Sequence, residues 1–205
     1  MLDRLDQILT ELALETTARQ KLELLLSPLR ARDVATYEHG LRVGELGRKI
    51  AVFLGLEPKI AFLAGLFHDL GKLGVPLETL QKTGAWTEAD AEIVEDHVLH
   101  GYELLRNHFD FTAEIILLHH SFQENNYPKN LPPYLHGYSE ESRALIVEYA
   151  RLLALADVYD ALHRVNGKFG RRTPLDATEV RAELKKAFPD QADLITALYL
   201  AQILS

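Results

Sequence analysis

One apolar run that ends in ionisable side chains constrains this chain more than any other stretch. Ile60-Ala61-Phe62-Leu63-Ala64-Gly65-Leu66-Phe67 leads straight into His68-Asp69, and Leu70, Gly71 and Lys72 follow. A carboxylate or an imidazole at the end of so apolar a segment needs a partner, because burying it unpaired is costly. Adjacent residues on a helix face different ways. At a frayed helix end, both can still reach one cation from different sides, or the Asp can bridge two. Imidazole nitrogen with carboxylate oxygen is a ligand set suited to zinc, iron or manganese.

The remainder of the chain favours helices around that run. Its 205 residues suffice for one domain with a large core and are few for two. Regular alternation of apolar and polar residues is scarce, which points to an all-α protein. Cysteine is absent, which removes disulfides, thiolate metal sites and cysteine nucleophiles. The acidic start Met1-Leu2-Asp3-Arg4-Leu5-Asp6 is unlike a signal peptide, and no run of about 18 apolar residues exists. A cytoplasmic protein without membrane contact is the expectation. The net charge of −8 argues against sequence-independent nucleic-acid binding, so any phosphate substrate depends on metal ions and a few Lys and Arg.

Residues 2 to 26 read as one amphipathic helix through Leu5, Ile8, Leu9, Leu12, Leu22, Leu25 and Leu26, stopped by Ser27-Pro28. It forms an N-terminal packing segment, 1–33, ahead of a single helical domain, 34–205. A helix over 34–54 buries Val43, Leu46, Ile50, Phe53 and Leu54, with His39 on the same face. Another runs from Pro58 to His68. Thr87 reads as an N-cap, opening a helix with Ile93, Val94, His97, Gly101, Leu104 and Leu105 inward and His100 at the edge. A short apolar helix from Thr112 ends in His119-His120. An aromatic, proline-rich stretch, 121–138, reads as a binding loop. Ser139 then caps a helix on which Ala150, Leu153, Ala154, Asp157 and Ala161 share a face. Arg164, Lys168, Arg171 and Arg172 form a basic patch in an acidic chain, and two structural helices, 176–187 and 190–204, close it.

Taken singly, an inward histidine is more often a hydrogen-bonded core residue than a ligand. Here His39, His68, Asp69, His97, His119, His120 and Asp157 all fall on apolar faces or helix ends, and buried polar groups in such number need a shared explanation. A metal site neutralises the carboxylates and fixes the imidazole tautomers together. The set exceeds what one ion needs, so two ions are the simplest reading. His100, His108, His136 and His163 read as surface or supporting residues. No Gly-x-Ser-x-Gly elbow and no phosphate-binding glycine loop is present.

His39, His68-Asp69-Leu70-Gly71-Lys72 and Asp157, within Leu155-Ala156-Asp157-Val158-Tyr159-Asp160-Ala161-Leu162, resemble the H…HD…D pattern of the HD-domain metal phosphohydrolases. His97-x-x-x-Gly101 and His119-His120 are similar to the HD-GYP subfamily, and the resemblance covers about residues 36 to 165. It implies a helical bundle with its metal site in the core. It implies a phosphodiesterase hydrolysing cyclic di-GMP through a metal-bridging hydroxide. His39, His68, Asp69 and Asp157 would hold one divalent ion. Asp69 would bridge to a second, held by His97, His119 and His120, with iron or manganese the usual metals. Lys72 would contact phosphate or orient the nucleophile, so Asp69 and Lys72 are the catalytic pair. The further acidic ligand of three-metal members is Ala35 here, which leaves two metals.

The subfamily's HHExxDGxGYP run is His119-His120-Ser121-Phe122-Gln123-Glu124-Asn125-Asn126-Tyr127-Pro128, one residue shorter and without its glycines. The metal ligands are retained and the substrate loop is remodelled. Lys72, Tyr127, Lys168, Arg171 and Arg172 are the substrate contacts expected, with Tyr127, Tyr134 or Tyr138 able either to stack on a base or to pack the loop. The partner expected is a small-molecule nucleotide, with a homodimer or a regulatory protein beside it. Two rivals stand: an HD phosphohydrolase for another nucleotide, and a non-catalytic nucleotide-sensing or protein-docking module.

Overall fold

The computed structural model describes residues 2–82, 87–123, 126–163 and 175–205. Among these residues the secondary structure is entirely helical, so the chain is all-α. The layer that positions the site consists of α3 (Val34–Leu54), α4 (Pro58–Phe67), α7 (His97–Leu105), α8 (Asp110–Leu117) and α9 (Glu140–Leu162). Around it lie α1 (Leu2–Glu11), α2 (Thr16–Arg32), the short α5 (Leu77–Leu80), α6 (Glu88–Glu95), α10 (Ala177–Ala187) and α11 (Ala192–Leu200). A 3₁₀ turn, Leu70–Gly74, continues from α4.

Local chemistry sets these boundaries. Asp33 caps α3 by accepting from Thr36 N–H at 3.1 Å, and Gly55, at φ 73, ends it in the left-handed conformation that glycine adopts freely. Pro58 fills the first turn of α4, where a missing N–H removes nothing. Thr87 and Asp90 form a reciprocal capping box at the start of α6, and Ser139 caps α9 through Ser142 N–H.

Two close approaches then bring the polar residues together. On α4, Gly65 lies against α3, where a Cβ would stand 2.5 Å from the backbone of Gly44. The helices therefore cross backbone to backbone, with His39 and His68 at the same end of the crossing, their ring centroids 4.9 Å apart. At the second approach, a Cβ on Gly71 would overlap the carbonyl of His97, so the 3₁₀ turn rests directly on the first turn of α7. The core between is apolar: Phe62, Phe67, Leu70, Leu105, Ile115, Ile116, Ile146 and Leu153 are fully buried. Each such side chain contributes roughly 1.5–3 kcal/mol.

Several expectations need correction. Residues 2 to 26 are not one helix: the chain breaks after Glu11, with Ala13 at φ 49, and restarts at Thr16. Pro28 does not end α2 but lies inside it, and the helix runs to Arg32. An internal proline costs about 3 kcal/mol, and burial of Leu26 and Leu29 on either side offsets it. Phe53 and Leu54 are exposed, in the last turn before the reversal at Gly55. The helix opened by Thr87 is two helices that meet at Asp96. That break turns Ile93 outward, and Leu104 is also exposed, while Val94, His97, Gly101 and Leu105 stay inside.

A candidate metal centre

The histidines share one local device. His68, at the end of α4, donates its Nδ1–H to the Gly65 carbonyl at 2.7 Å. His97, at the start of α7, does the same to Val94 at 2.6 Å, and His119, just beyond α8, to Ile116 at 2.5 Å. A carbonyl only accepts, so each Nδ1 carries a proton, and Nε2 is the nitrogen whose lone pair a neutral ring offers to a cation. Those Nε2 atoms are buried without a hydrogen-bond partner, and so is Nδ1 of His120. Four orphaned imidazole nitrogens in one place are what a buried site without its cation looks like.

The nitrogens and carboxylates gather into overlapping groups whose ligand atoms lie within 4.8 Å of one another: His97, His119 and His120; His39, His68 and Asp157; and His68, Asp69 and His119. Asp69 lies between. Its Oδ1 is 3.4 Å from His97 Nε2, while its Oδ2 is 3.4 Å from His68 Nε2 and 3.8 Å from His39 Nε2. Such separations are too long for hydrogen bonds. They are close to the spacing of donors that each lie about 2.1 Å from a shared ion, roughly 3.0–3.4 Å apart. Lys72 Nζ reaches Asp69 Oδ2 at 2.5 Å.

His39 is held differently. Its Nδ1 meets Asp160 Oδ2 at 2.7 Å and its Nε2 meets Asp157 Oδ1 at 2.9 Å. If Nδ1–H serves Asp160, then Nε2 turns a lone pair toward a carboxylate oxygen, which is repulsive unless a proton or a cation intervenes. Asp160 is also gripped by Arg42, whose Nε donates to Oδ1 at 2.7 Å. Burial opposes the charge on Asp160, but hydrogen bonds from His39 and Arg42 hold its carboxyl well below the usual range. Asp160 is the residue that sequence reasoning left without a role. Its spacing from Asp157, three residues on the same helix, was the available signal.

Electrostatics divide the imidazoles. Burial pushes His97 down to about 3 and His119 well below its ordinary value, and it lowers His120 as well. Burial opposes the charge on His68 too, yet Asp69 and Asp157 raise it to about 10. Both carboxyls are themselves held well below the usual range despite burial, chiefly by His68 and Lys72 at Asp69 and by His39 and His68 at Asp157. Without a divalent cation, protons and Lys72 supply the positive charge these carboxylates need.

Among the expected substrate contacts, Lys72 and Tyr127 border this centre. Tyr127 stacks on His120, with ring centroids 4.3 Å apart and planes at 27°, so one of its faces is already covered. Burial, with Asp69 and Asp157 adding, pushes its phenol up, and it stays protonated. Tyr134 lies under Arg143 and Tyr138 against Phe111, both as loop packing. Glu114, buried on α8, anchors that loop by accepting from Leu135 N–H at 2.7 Å. Arg164, Lys168, Arg171 and Arg172 lie outside the described residues. His100, His108, His136 and His163 are exposed and belong to none of the groups above. No helix among the described residues is long and apolar enough to cross a membrane.

Comparison with known proteins points the same way. The HD domain family matches residues 36–162. A cyclic di-GMP phosphodiesterase of Thermotoga maritima is 32% identical over 150 residues, which cover 69% of this chain and 38% of that protein. The cyclic di-GMP phosphodiesterase response regulator RpfG of Xanthomonas campestris pv. campestris is 32% identical over 156 residues, 72% of this chain and 39% of that protein. The chain thus spans about two fifths of the length of these relatives. Among solved structures, the HD domain of the L. monocytogenes phosphodiesterase PgpH in complex with cyclic-di-AMP superposes with a TM-score of 0.56 at 18% identity, covering 82% of each chain. That likeness is one of fold.

Proposed function

We propose that this chain, which belongs to the HD domain family, is a metal-dependent phosphodiesterase that hydrolyses cyclic di-GMP. The observation that carries the reading is the set of orphaned imidazole nitrogens on both sides of Asp69. His39, His68, Asp69 and Asp157 would hold one divalent ion, and His97, His119 and His120, with Asp69 shared, a second. Iron or manganese suits so many imidazoles with carboxylates. The fit is chemical as well as spatial: the tautomers fixed by Gly65, Val94 and Ile116 leave the nitrogens that a cation requires.

When bound, such ions supply Lewis acidity and an acidified water. The chain's own groups do the remainder. Asp160 keeps the His39 ring oriented through Nδ1, and Arg42 keeps Asp160 in place. Lys72 adds positive charge beside Asp69, where phosphate oxygens gain negative charge in the transition state. Tyr127 closes the wall beside His120 and limits water there. The substrate class follows the names of the relatives. The shortened loop that carries Tyr127 favours, as a second reading, another cyclic or linear dinucleotide in the same centre.

Protein purified without oxygen, assayed for metal content and for cyclic di-GMP turnover with products resolved, tests this. Two metals per chain with linear dinucleotide or GMP formed supports the reading. Two metals without turnover redirects it to another phosphodiester. Absence of metal under every loading condition overturns it.

A further inference from the structure

Arg32 lies in α2, ahead of the residues that match the HD family, and yet it is bound to the turn that carries Lys72. Its Nη1 donates to the Leu73 carbonyl and, at 3.4 Å, to that of Lys72. Its Nη2 donates to the Val75 carbonyl at 2.6 Å. Lys72 and Leu73 belong to the 3₁₀ turn Leu70–Gly74 and Val75 follows it, so the fork gathers carbonyls at the C-terminal end of the turn, where backbone oxygens carry partial negative charge. Where the turn joins its neighbours, Lys72 N–H bonds Asp69 O at 3.0 Å and Val75 N–H bonds Lys72 O at 3.1 Å.

Arg32 is itself fixed. Leu22, Leu26 and Leu29 bury α2 against the core, and Asp33, the next residue, donates its backbone N–H to Leu29 O at 2.8 Å while its carboxylate caps α3. The guanidinium therefore reaches the turn from a rigid corner, seven residues before His39. Its planar fork spans diverging carbonyls, which a lysine ammonium cannot match.

We infer that Arg32 is a positioning residue that fixes the backbone of Lys72, and through it the Lys72–Asp69 pair, so that the end of α2, ahead of the family match, supports the catalytic apparatus. The inference rests on the proposed phosphodiesterase reading, and its test separates the two. Wild type, Arg32→Ala and Arg32→Lys are compared in full-length, metal-loaded protein with bis(p-nitrophenyl) phosphate and cyclic di-GMP as probes. Losing hydrogen bonds from a charged donor predicts a kcat lower by roughly tenfold or more in Arg32→Ala. KM and bound metal are expected within about twofold of wild type. Arg32→Lys falls between, and low millimolar guanidinium partly restores Arg32→Ala, which a merely unstable variant would not show. Hydrogen exchange, read without turnover, is expected to speed up at the amides of Lys72 and Val75 in both variants, more in Arg32→Ala. Active wild type with unchanged kcat in Arg32→Ala overturns the role of Arg32 alone, as does unchanged exchange at those amides. Wild type inactive on both probes overturns the functional reading, while the exchange data still decide whether the brace exists.

Discussion

The two halves of the centre are built on different physics. On the side of His97, His119 and His120, the rings are neutral, buried and lowered in pKa, and His97 and His119 are aimed by backbone carbonyls. On the side of His39, His68 and Asp157, carboxylates surround the rings, His68 is raised to about 10, and His39 is aimed by two side chains. Main-chain anchoring survives point mutation, because a carbonyl cannot be substituted. Side-chain anchoring can be lost at a single position. Asp69 is the carboxylate that faces both halves, so the neutral half depends on it for negative charge.

Removing Asp69 breaks the comparison outright. Asp69→Ala is expected to abolish metal retention in both halves and turnover with it, while helical content by circular dichroism stays near wild type. Intact metal stoichiometry in that variant would sink the shared-carboxylate geometry.

The pKa contrast predicts two limbs in the stability of the chelated protein. His97 titrates near 3 when folded and near the ordinary value of about 6.5 when unfolded, so the unfolded chain binds the extra proton between them and stability falls as pH drops through that window. His68 acts the other way: its contribution is complete below about 6.5 and is lost as pH rises toward 10. Thermal unfolding of metal-free protein is therefore expected to be most stable near pH ~6.5, with slopes of about 1.4 kcal/mol per pH unit for each proton. His97→Phe flattens the acid limb and His68→Phe the alkaline one. Equal flattening by either variant would erase the distinction between the halves.

Asp160→Asn sharpens the comparison more selectively. Loss of a carboxylate behind a ligating imidazole weakens metal affinity by about 10–100-fold, and the loss should fall on one of two bound equivalents in a metal titration. Uniform weakening of both would mean that the halves act as one site. The smallest effect belongs to Tyr127. Since its ring covers His120 and its phenol is a neutral group near Asp69 and Asp157, Tyr127→Phe should change kcat/KM by only about twofold or threefold. A collapse of activity there would move Tyr127 into the chemistry.

The clustered imidazoles and carboxylates were legible because their signal is local: an imidazole or carboxylate on an otherwise apolar helical face stands out whatever the tertiary arrangement. The helix framework was legible for the same reason, through the caps at Thr87 and Ser139. What escaped the sequence depends on distant partners. Pro28 looks like a terminator until Leu26 and Leu29 find the core. Ile93 looks inward until the break at Asp96 rotates its turn away. Asp160 looks like one more acid on a helix until α3 brings His39 to it, and Arg32 looks like a solvated end until α2 meets the 3₁₀ turn.

The orphaned nitrogens have a last consequence for how this protein would change under laboratory selection. A chelated chain gains nothing from an imidazole whose lone pair faces a dry interior, and an apolar side chain of similar volume would satisfy the same space without that penalty. Repeated rounds of heat challenge in a strong chelator should therefore collect aromatic and aliphatic replacements at positions 97 and 119. Rounds run with metal present should leave both positions alone, and the divergence between the two populations would read out, residue by residue, which side chains the ion recruits.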